Sequence, residues 1–425
     1  MSAEKTQIEG AREQKKTIDS SYFFQKHVIW VLVAFLVLGI WFQFFPLILI
    51  ATFLIFLTFF ITAWKNQSLK NVQQDFVLSK TRLFAGEDFQ IQASVFNDKW
   101  LPLVWLEWEL PLIKGVVIGE EEQSNYLMRF LWLHWFQKVN WEIEGKALKR
   151  GVYHLGRVIL RSGDGFRFSE IEKIHYFKTP LYVYPKLVPV HVPAFRPSMR
   201  WEMKGKNGGF LEDPLKVSGI RDYQPGDEMR RFNGRASART GRLQTNVYQP
   251  VVTERLMIFA DISGFVIERL YEEQNEQMKY RMKQEENFEA FLSVIASIAV
   301  KYREQGIHLG YASNALSYNG KVLNPIPPRL ELQHMLDILA KSSQRAAQHK
   351  DYLLNELLHT GKLSGPLFIF CESVSKEHVI WYEQHKQKLP DVRFFYQRKS
   401  KYGEKVRATA ANSFFASADS AVKGF

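Results

Sequence analysis

The sequence predicts a multidomain chain: an N-terminal two-helix transmembrane hairpin, an all-β sandwich-like domain, and a C-terminal α/β doubly wound domain. Three observations carry this. Residues 27 to 64 contain no Asp, Glu, Lys or Arg. Short runs after residue 70 alternate apolar and polar side chains. Beyond residue 250, apolar strands alternate with helical stretches. At 425 residues the chain has room for two or three domains. Its 46% hydrophobic and 14% aromatic content is ample for packed cores and excludes a disordered protein.

Residues 1–23 read as a cytoplasmic tail. The uncharged run that follows is too long for one span, since a helix of roughly 20 residues crosses the hydrocarbon core. Gln43 and Pro46 divide it into helices of 24–41 and 46–63, within a hairpin of 24–64. Trp30, Trp41 and Trp64 fall towards the ends, where interfacial aromatics sit. Lys5, Arg12, Lys15, Lys16 and Lys26 precede the hairpin, Lys65 and Lys70 follow it, and the connection is uncharged. The positive-inside rule then places both termini in the cytoplasm of a multi-pass protein of the cell (inner or plasma) membrane. The net charge of +12 suits an anionic membrane face. Nucleic acid is disfavoured, because Lys and Arg are not interleaved with aromatics in any recognisable module. Cys371 is the sole cysteine, which excludes an intrachain disulfide and a Cys-x-x-Cys metal site.

Residues 71–190 form the β domain. Phe89, Ile91, Ala93 and Val95 alternate with Gln90, Gln92 and Ser94, the period of a half-buried strand. Val104, Leu106, Trp108 and Leu110 repeat the pattern, with Glu107 and Glu109 on the second face. Further strands fit 141–143, 153–160 and 182–184, with Gly86, Asn97-Asp98, Pro102 and Pro111 as turns. The aromatic stretch of 115–139, with Phe130, Trp132, Trp135 and Phe136, reads first as core between sheets. An exposed patch facing a membrane or a partner is the alternative.

Residues 191–250 read as an arginine-rich linker or loop. Arg221, Arg230, Arg231, Arg235, Arg239 and Arg242 stand against Asp222, Asp227 and Glu228. Guanidinium forks pair bidentately with carboxylate or phosphate, so the run is a candidate surface for an anion or an acidic partner. It is equally a candidate for a loop pinned by its own aspartates, and the two are compatible. Pro225-Gly226 fits a tight turn.

Residues 251–397 alternate strand and helix: strand 256–260, helix 268–305, strand 307–312, helix 330–341, helix 352–359, strand 366–371, helix 378–388 and strand 392–396. Such alternation implies a mainly parallel sheet, with ligands at the carboxyl ends of its strands. Asp261, Ser263 and Glu372 fall on that rim. Residues 398–425 form a basic, polar tail.

The run Gly219-Ile220-Arg221-Asp222-Tyr223-Gln224-Pro225-Gly226-Asp227, followed by Arg230-Arg231 and Ala236-Ser237-Ala238-Arg239-Thr240-Gly241, resembles the central motif of the bacterial domain-of-unknown-function family fifty-eight. Lys149-Arg150-Gly151-Val152-Tyr153, Ser162-Gly163-Asp164-Gly165-Phe166 and Val183-Tyr184-Pro185 support it. The resemblance covers nearly the whole chain, although the family usually has a tryptophan where Asn233 or Gly234 stands. It implies a von Willebrand A-like C-terminal domain. It also implies a membrane-anchored cytoplasmic protein acting with a MoxR-type AAA+ ATPase in assembly or maturation of client proteins. Arg221, Asp222, Asp227, Arg230, Arg231, Arg235 and Arg239 are the candidate partner-binding residues.

The metal site of von Willebrand A domains needs Asp-x-Ser-x-Ser, a threonine and a second aspartate, hard oxygens suited to Mg²⁺. This chain supplies Asp261 and Ser263, but Phe265 replaces the second serine and Glu372 stands for the second aspartate. Ser313-Asn314 offers no threonine. A degenerate site of Asp261, Ser263 and Glu372 is therefore expected to bind Mg²⁺ weakly or not at all, leaving no cofactor. Asp261 and Ser263 then cap the next turn or satisfy loop amides. No Gly-x-Ser-x-Gly, HExxH or P-loop occurs, and His134, His154, His175, His308 and His334 show no ligand spacing. The expectation is a binding module and no enzyme. A divalent-metal-dependent ligand binder is the alternative, and a hydrolase using Ser263 a weaker one.

Overall fold

The computed structural model describes residues 12–18, 22–119, 125–165, 167, 170–177, 180–192, 212–250, 254–266, 274–347, 350–359, 366–389, 391–406 and 408–410. It divides into two compact units, 1–186 and 187–425.

The first unit opens with strand β1 (Arg12–Ile18), helix α1 (Tyr22–Trp41) and helix α2 (Phe45–Ser68). Its remaining strands are β2 (Val72–Leu78), β3 (Arg82–Phe84), β4 (Asp88–Asn97), β5 (Leu103–Pro111), β6 (Val116–Ile118) and β7 (Tyr126–Leu133). They are completed by β8 (Lys138–Ala147), β9 (Gly151–Tyr153), β10 (Arg157–Gly163), β11 (Glu170–Tyr176) and β12 (Leu181–Tyr184).

Helix α2 is long and apolar enough to cross a membrane. Phe45, Leu49, Phe53, Phe56 and Phe59 all point outward along it. The apolar stretch of α1 whose side chains are described, Ile29–Trp41, is shorter. The link between the helices is tight: the Phe44 amide donates to the Gly39 carbonyl at 2.9 Å. A Cβ on Gly39 would sit 3.0 Å from Ile48 Cγ1. Pro46 lies in the first turn of α2, where its missing N–H costs nothing.

The unit is largely β, with three sheets among the described residues. One runs β1-β11-β10-β5-β7, a second β2-β4-β8-β6, and a small third β3-β12-β9. A single core draws on both larger sheets. Trp108 of β5 meets Trp141 of β8 edge to face at 5.3 Å, a geometry that aromatic quadrupoles favour. Arg161 on β10 bridges Glu109 on β5 (2.7 Å) and Glu172 on β11 (3.1 Å). The alternation read for 89–95 matches burial of Phe89, Ile91, Ala93 and Val95.

Four expectations are corrected here. Arg12–Ile18 is a strand paired antiparallel with β11, where an N-terminal tail was expected. Strand 153–160 is two strands broken around Gly156, whose Cβ would meet the Phe177 carbonyl oxygen at 2.5 Å. A bulge between Leu103 and Leu106 shifts the β5 register. Leu103 and Trp105 are therefore buried and Val104 is exposed, as a one-residue slip requires. Phe130, Trp132, Trp135 and Phe136 lie outside the core and are exposed.

The second unit begins with an antiparallel ribbon of β13 (Glu212–Asp222) and β14 (Gln244–Pro250), whose connection contains helix α3 (Gly234–Thr240). The expected 191–250 linker is thus folded over 212–250, while 193–211 lie outside the described residues. Next come β15 (Arg255–Asp261), helix α4 (Gln274–Glu304), β16 (His308–Ser313), β17 (Ala315–Ser317), β18 (Ile326–Arg329) and helix α5 (Gln333–Lys341). β19 (Ser342–Ala346), helix α6 (Lys350–His359), β20 (Leu367–Cys371), helix α7 (Lys376–His385), β21 (Val392–Tyr396) and β22 (Thr409–Ala410) complete it. Of the basic tail, 411–425 lie outside the described residues.

The central sheet runs β18-β16-β15-β20-β21-β22 and is parallel except at β18. Met257, Phe259, Ile369 and Phe394 share a core with Leu354 and Leu357 of α6 and Trp381 of α7. On the other face Tyr302 of α4 packs edge-on to Phe368 at 6.2 Å. Helices therefore cover both faces of this sheet. Helix α4 ends before Gly306, which adopts φ +81° as a helix-terminating glycine does.

Candidate functional site

Two constellations in the second unit gather the residues that the sequence singled out. The first lies at the carboxyl end of the central strand. Asp261 ends β15, Asn314 follows β16, and Glu372 follows β20, so parallel pairing brings three distant segments to one rim.

Asp261 is buried, with 2% of its surface exposed. Its Oδ1 accepts from the Ser263 amide (3.0 Å), Ser263 Oγ (2.6 Å) and Asn314 Nδ2 (2.8 Å). Asn314 Nδ2 also donates to Ser263 Oγ at 2.9 Å, and Asn314 Oδ1 accepts from the Ile262 amide at 2.9 Å. On the other side, His378 Nε2 lies 3.2 Å from Asp261 Oδ2, an ion-pair distance without the alignment of a hydrogen bond. The Ser375 amide donates to His378 Nδ1 at 3.1 Å. That nitrogen is therefore a lone-pair acceptor, and the ring proton sits on Nε2, towards Asp261.

Much of this donor set is already engaged within the protein. The Asn314 amide nitrogen, a donor only, takes one lone pair on Asp261 Oδ1 and one on Ser263 Oγ, so a cation would have to compete with it for these oxygens. Phe265, at the second serine position, is fully buried against Phe291 (4.8 Å) and Phe288 (5.7 Å). Glu372 folds over Gly264, whose Cβ would fall 2.3 Å from Glu372 Oε2. Burial pushes the Glu372 carboxyl above its ordinary pKa, and the Arg398 charge pulls it partly back. Among the described residues no group of three or more His, Cys, Asp and Glu could hold a metal ion. Ser263 Oγ donates to the Asp261 carboxylate at 2.6 Å, and among the described residues no histidine is hydrogen-bonded to it. Ser375 Oγ is held by the His378 amide in the N-terminal capping box of α7.

Sequence reasoning missed His378 and Asn314. His378 sits far along the chain from Asp261, and the one local signal was Ser375-x-x-His378 ahead of a helix. Asn314 was noticed only as the absence of a threonine.

The second constellation is the tip of the ribbon. Pro225-Gly226 makes the tight turn, with Gly226 at φ +106° and the Asp227 amide donating to the Gln224 carbonyl at 3.0 Å. Asp227 Oδ1 accepts from Arg221 Nη2 at 2.7 Å, and Oδ2 from the Gln224 amide at 3.0 Å. The Arg221 hydrogen bond, then that amide, hold its carboxyl below the ordinary pKa. Asp222 Oδ1 accepts from Gln244 Nε2 across the ribbon. Asn233 caps α3 through the Ala236 amide (3.0 Å) and reaches Asn246 (2.7 Å). This asparagine thus ties helix to strand. Gly241 closes α3 in the left-handed conformation at φ +69°.

The arginines divide in two. Arg221 is tied to Asp227, and Arg231 lies 4.0 Å from Glu228. Arg230, Arg235, Arg239 and Arg242 are exposed and make no ion pair among the described residues. Leu215, Val217, Ile220, Met229 and Leu243 are exposed on the same ribbon and its tip.

No family model matches the chain. The uncharacterized protein YeaD of Bacillus subtilis (strain 168) is similar, at 24% identity over 277 residues, 64% of this chain and 62% of that protein. The chain thus spans less than two thirds of the length of this curated relative. Similar solved structures include a beta-glucosidase from Listeria innocua, 10% identical over 27% of this chain and 16% of that one, TM-score 0.14. Another is the sporulation control protein Spo0M from Bacillus subtilis, 12% identical over 28% of this chain and 50% of that one, TM-score 0.15. Likenesses this slight carry no argument.

Proposed function

We propose that the chain is a membrane-anchored, cytoplasm-facing interaction module that presents the arginine tip of its ribbon to an acidic protein partner. The observation that carries the reading is the division of the arginines. Arg221 and Asp227 spend their charges on each other to stiffen the turn, while Arg230, Arg235 and Arg239 stand outward on a capped helix and turn. A preorganised cationic surface loses little freedom on binding and suits carboxylate recognition. The resemblance to family fifty-eight supplies the partner class, a MoxR-type AAA+ ATPase, and the task, assembly or maturation of a client protein. It also supplies the von Willebrand A-like reading of the mainly parallel sheet.

Two features support a hairpin that enters and leaves the membrane on one side. Helix α2 is long and apolar enough to span. β1, ahead of α1, pairs with β11 of the domain that follows α2, so the segments flanking the two helices meet in one sheet. With the basic flanks, this favours both termini in the cytoplasm.

The test is recovery of an AAA+ ATPase from membranes with tagged full-length protein, wild type against Arg235→Glu/Arg239→Glu. These residues lie one helical turn apart and exposed. Recovery by wild type and loss in the variant supports the reading. Equal recovery moves the contact elsewhere, and recovery by neither removes the ATPase. A divalent-metal-dependent binder is the second reading, favoured only by the juxtaposition of Asp261 and Ser263. A flat calorimetric Mg²⁺ titration, the same in Asp261→Ala, removes it.

A further inference from the structure

The aromatic residues that the β domain leaves outside its core are gathered at one end of it. β2 and β11 start there, and β4, β7 and β10 finish there, because Val72 pairs with Asn97, Leu103 with Leu133 and Gly163 with Glu170. Trp100, Trp132, Trp135 and Phe136 are 76%, 64%, 55% and 47% exposed at this end. They are held in place, since Trp100 meets Phe136 edge to face at 5.5 Å. Asn97 Nδ2 ties the two loops together by donating to the Leu101 (3.0 Å) and His134 (2.8 Å) carbonyls.

The same end receives the carboxyl terminus of α2. Lys99 Nζ donates to the Ser68 carbonyl at 2.7 Å and the Lys70 carbonyl at 2.9 Å. A half-buried cation thus meets the carbonyls and the negative dipole end of the helix. Ser68 and Leu69 are buried, and the Asp98 amide donates to the Asn71 carbonyl at 3.0 Å. Trp100 is the next residue after that clamp.

We infer that this end of the β domain rests in the headgroup layer of a lipid bilayer, with Trp100, Trp132, Trp135 and Phe136 as its interfacial anchors. The inference rests on the reading of α2 as a membrane span. If α2 crosses, its carboxyl end emerges at the interface, and whatever is clamped to that end lies at the same depth. Tryptophans are the residues enriched at that depth, where an amphipathic ring meets both apolar and polar surroundings. A cluster of exposed rings of this kind is uncommon on a surface bathed only by water. Exposed Lys70 supplies a cation for lipid phosphate beside them. A protein partner is the competing occupant, and nothing at this end selects one.

The test uses full-length protein in vesicles of phosphatidylcholine and phosphatidylglycerol, labelled with an environment-sensitive fluorophore. Cys371 is buried, so added cysteines are labelled selectively. Trp132→Cys and Trp135→Cys probe the patch, Phe56→Cys the middle of α2, and Lys80→Cys the opposite end of the domain. The expected result is quenching at 132 and 135 by lipids carrying a quencher near the headgroup, with a blue shift relative to position 80. Position 56 should respond to a quencher deep in the acyl chain, and position 80 to aqueous iodide alone. If 56 is deep while 132 and 135 respond to iodide, the anchoring is overturned and the span stands. Shielding of 132 and 135 from both quenchers means that protein covers them, which also overturns it. If 56 is not reached by any lipid quencher, the span itself fails, and the anchoring with it.

Discussion

Asp261 and His378 meet at 3.2 Å, oxygen to nitrogen, joining the end of the central strand β15 to the first turn of α7, beyond the neighbouring strand. The contact is fully enclosed, with His378 0% and Asp261 2% exposed. Replacing Asp261 by Ala leaves the Ser263 amide, Ser263 Oγ and one of the two Asn314 Nδ2 hydrogens without their acceptor, and the His378 ring without its charged neighbour. At about 1–3 kcal/mol for each buried group left unsatisfied, the loss should reach about 3 kcal/mol or more. Chemical denaturation of the full-length protein in detergent measures it, and a near-zero change would mean that the network is not formed.

Glu372 gives a pH-dependent counterpart. Burial, more than Arg398 opposes it, raises its pKa in the fold. The fold therefore holds this proton more tightly than the unfolded chain does. Stability from this group is greatest below its unfolded pKa and declines as pH rises through the folded value. Glu372→Gln should accordingly stabilise the protein at neutral pH, with the gain fading in acid. Thermal unfolding at two pH values reads the difference, and an equal shift at both would exclude the mechanism.

Asp227 behaves in the opposite sense. Arg221 and the Gln224 amide lower its pKa, so its contribution is present above the ordinary carboxylate value and lost as pH falls through the lowered one. The turn should keep its order at mildly acidic pH and release the Gln224 amide only in stronger acid. Hydrogen exchange at Gln224 reports this. Asp227→Ala should give fast exchange at every pH and weaker recovery of the ATPase, although Arg235 and Arg239 are untouched.

Lys99 secures the end of α2. Burial, then the Lys173 charge, lowers its pKa to about 8, so it is still charged at neutral pH and donates to two carbonyls. Such charge-assisted bonds are each worth about 1.5–3 kcal/mol. Lys99→Met should therefore speed exchange of the amides at 68–71 by about tenfold or more at neutral pH. Unchanged protection there would show that Leu69 packing alone holds the junction.

Much of this architecture was legible because it is local. Alternation at Phe89, Ile91, Ala93 and Val95 marked a strand by its own residues, and the uncharged run of 27–64 marked apolar helices by composition. What stayed hidden depends on distant partners. The β5 bulge turns Trp105 inward by a one-residue shift that no periodicity announces. Trp132 looks like core until the edge position of β7 is known. Asp261 was found from its motif, but its meaning changed when β16 delivered Asn314 and α7 delivered His378. The Arg221–Asp227 pair lies within one turn of chain. A loop pinned by its own aspartates is one of the two readings the sequence leaves open, although Asp222 takes Gln244 in place of an arginine. Asn233 as a helix cap had to await the fold of α3.

The pairing of β1 with β11 has a temporal side. Residues 12–18 are made early, yet the strand they match is made only after both helices and nine further strands. Contacts so distant in sequence form late. The two helices must therefore settle while the domain that will seal them is still being synthesised. β1 then waits as an unpaired edge beside the two helices until β11 arrives to take it into the sheet.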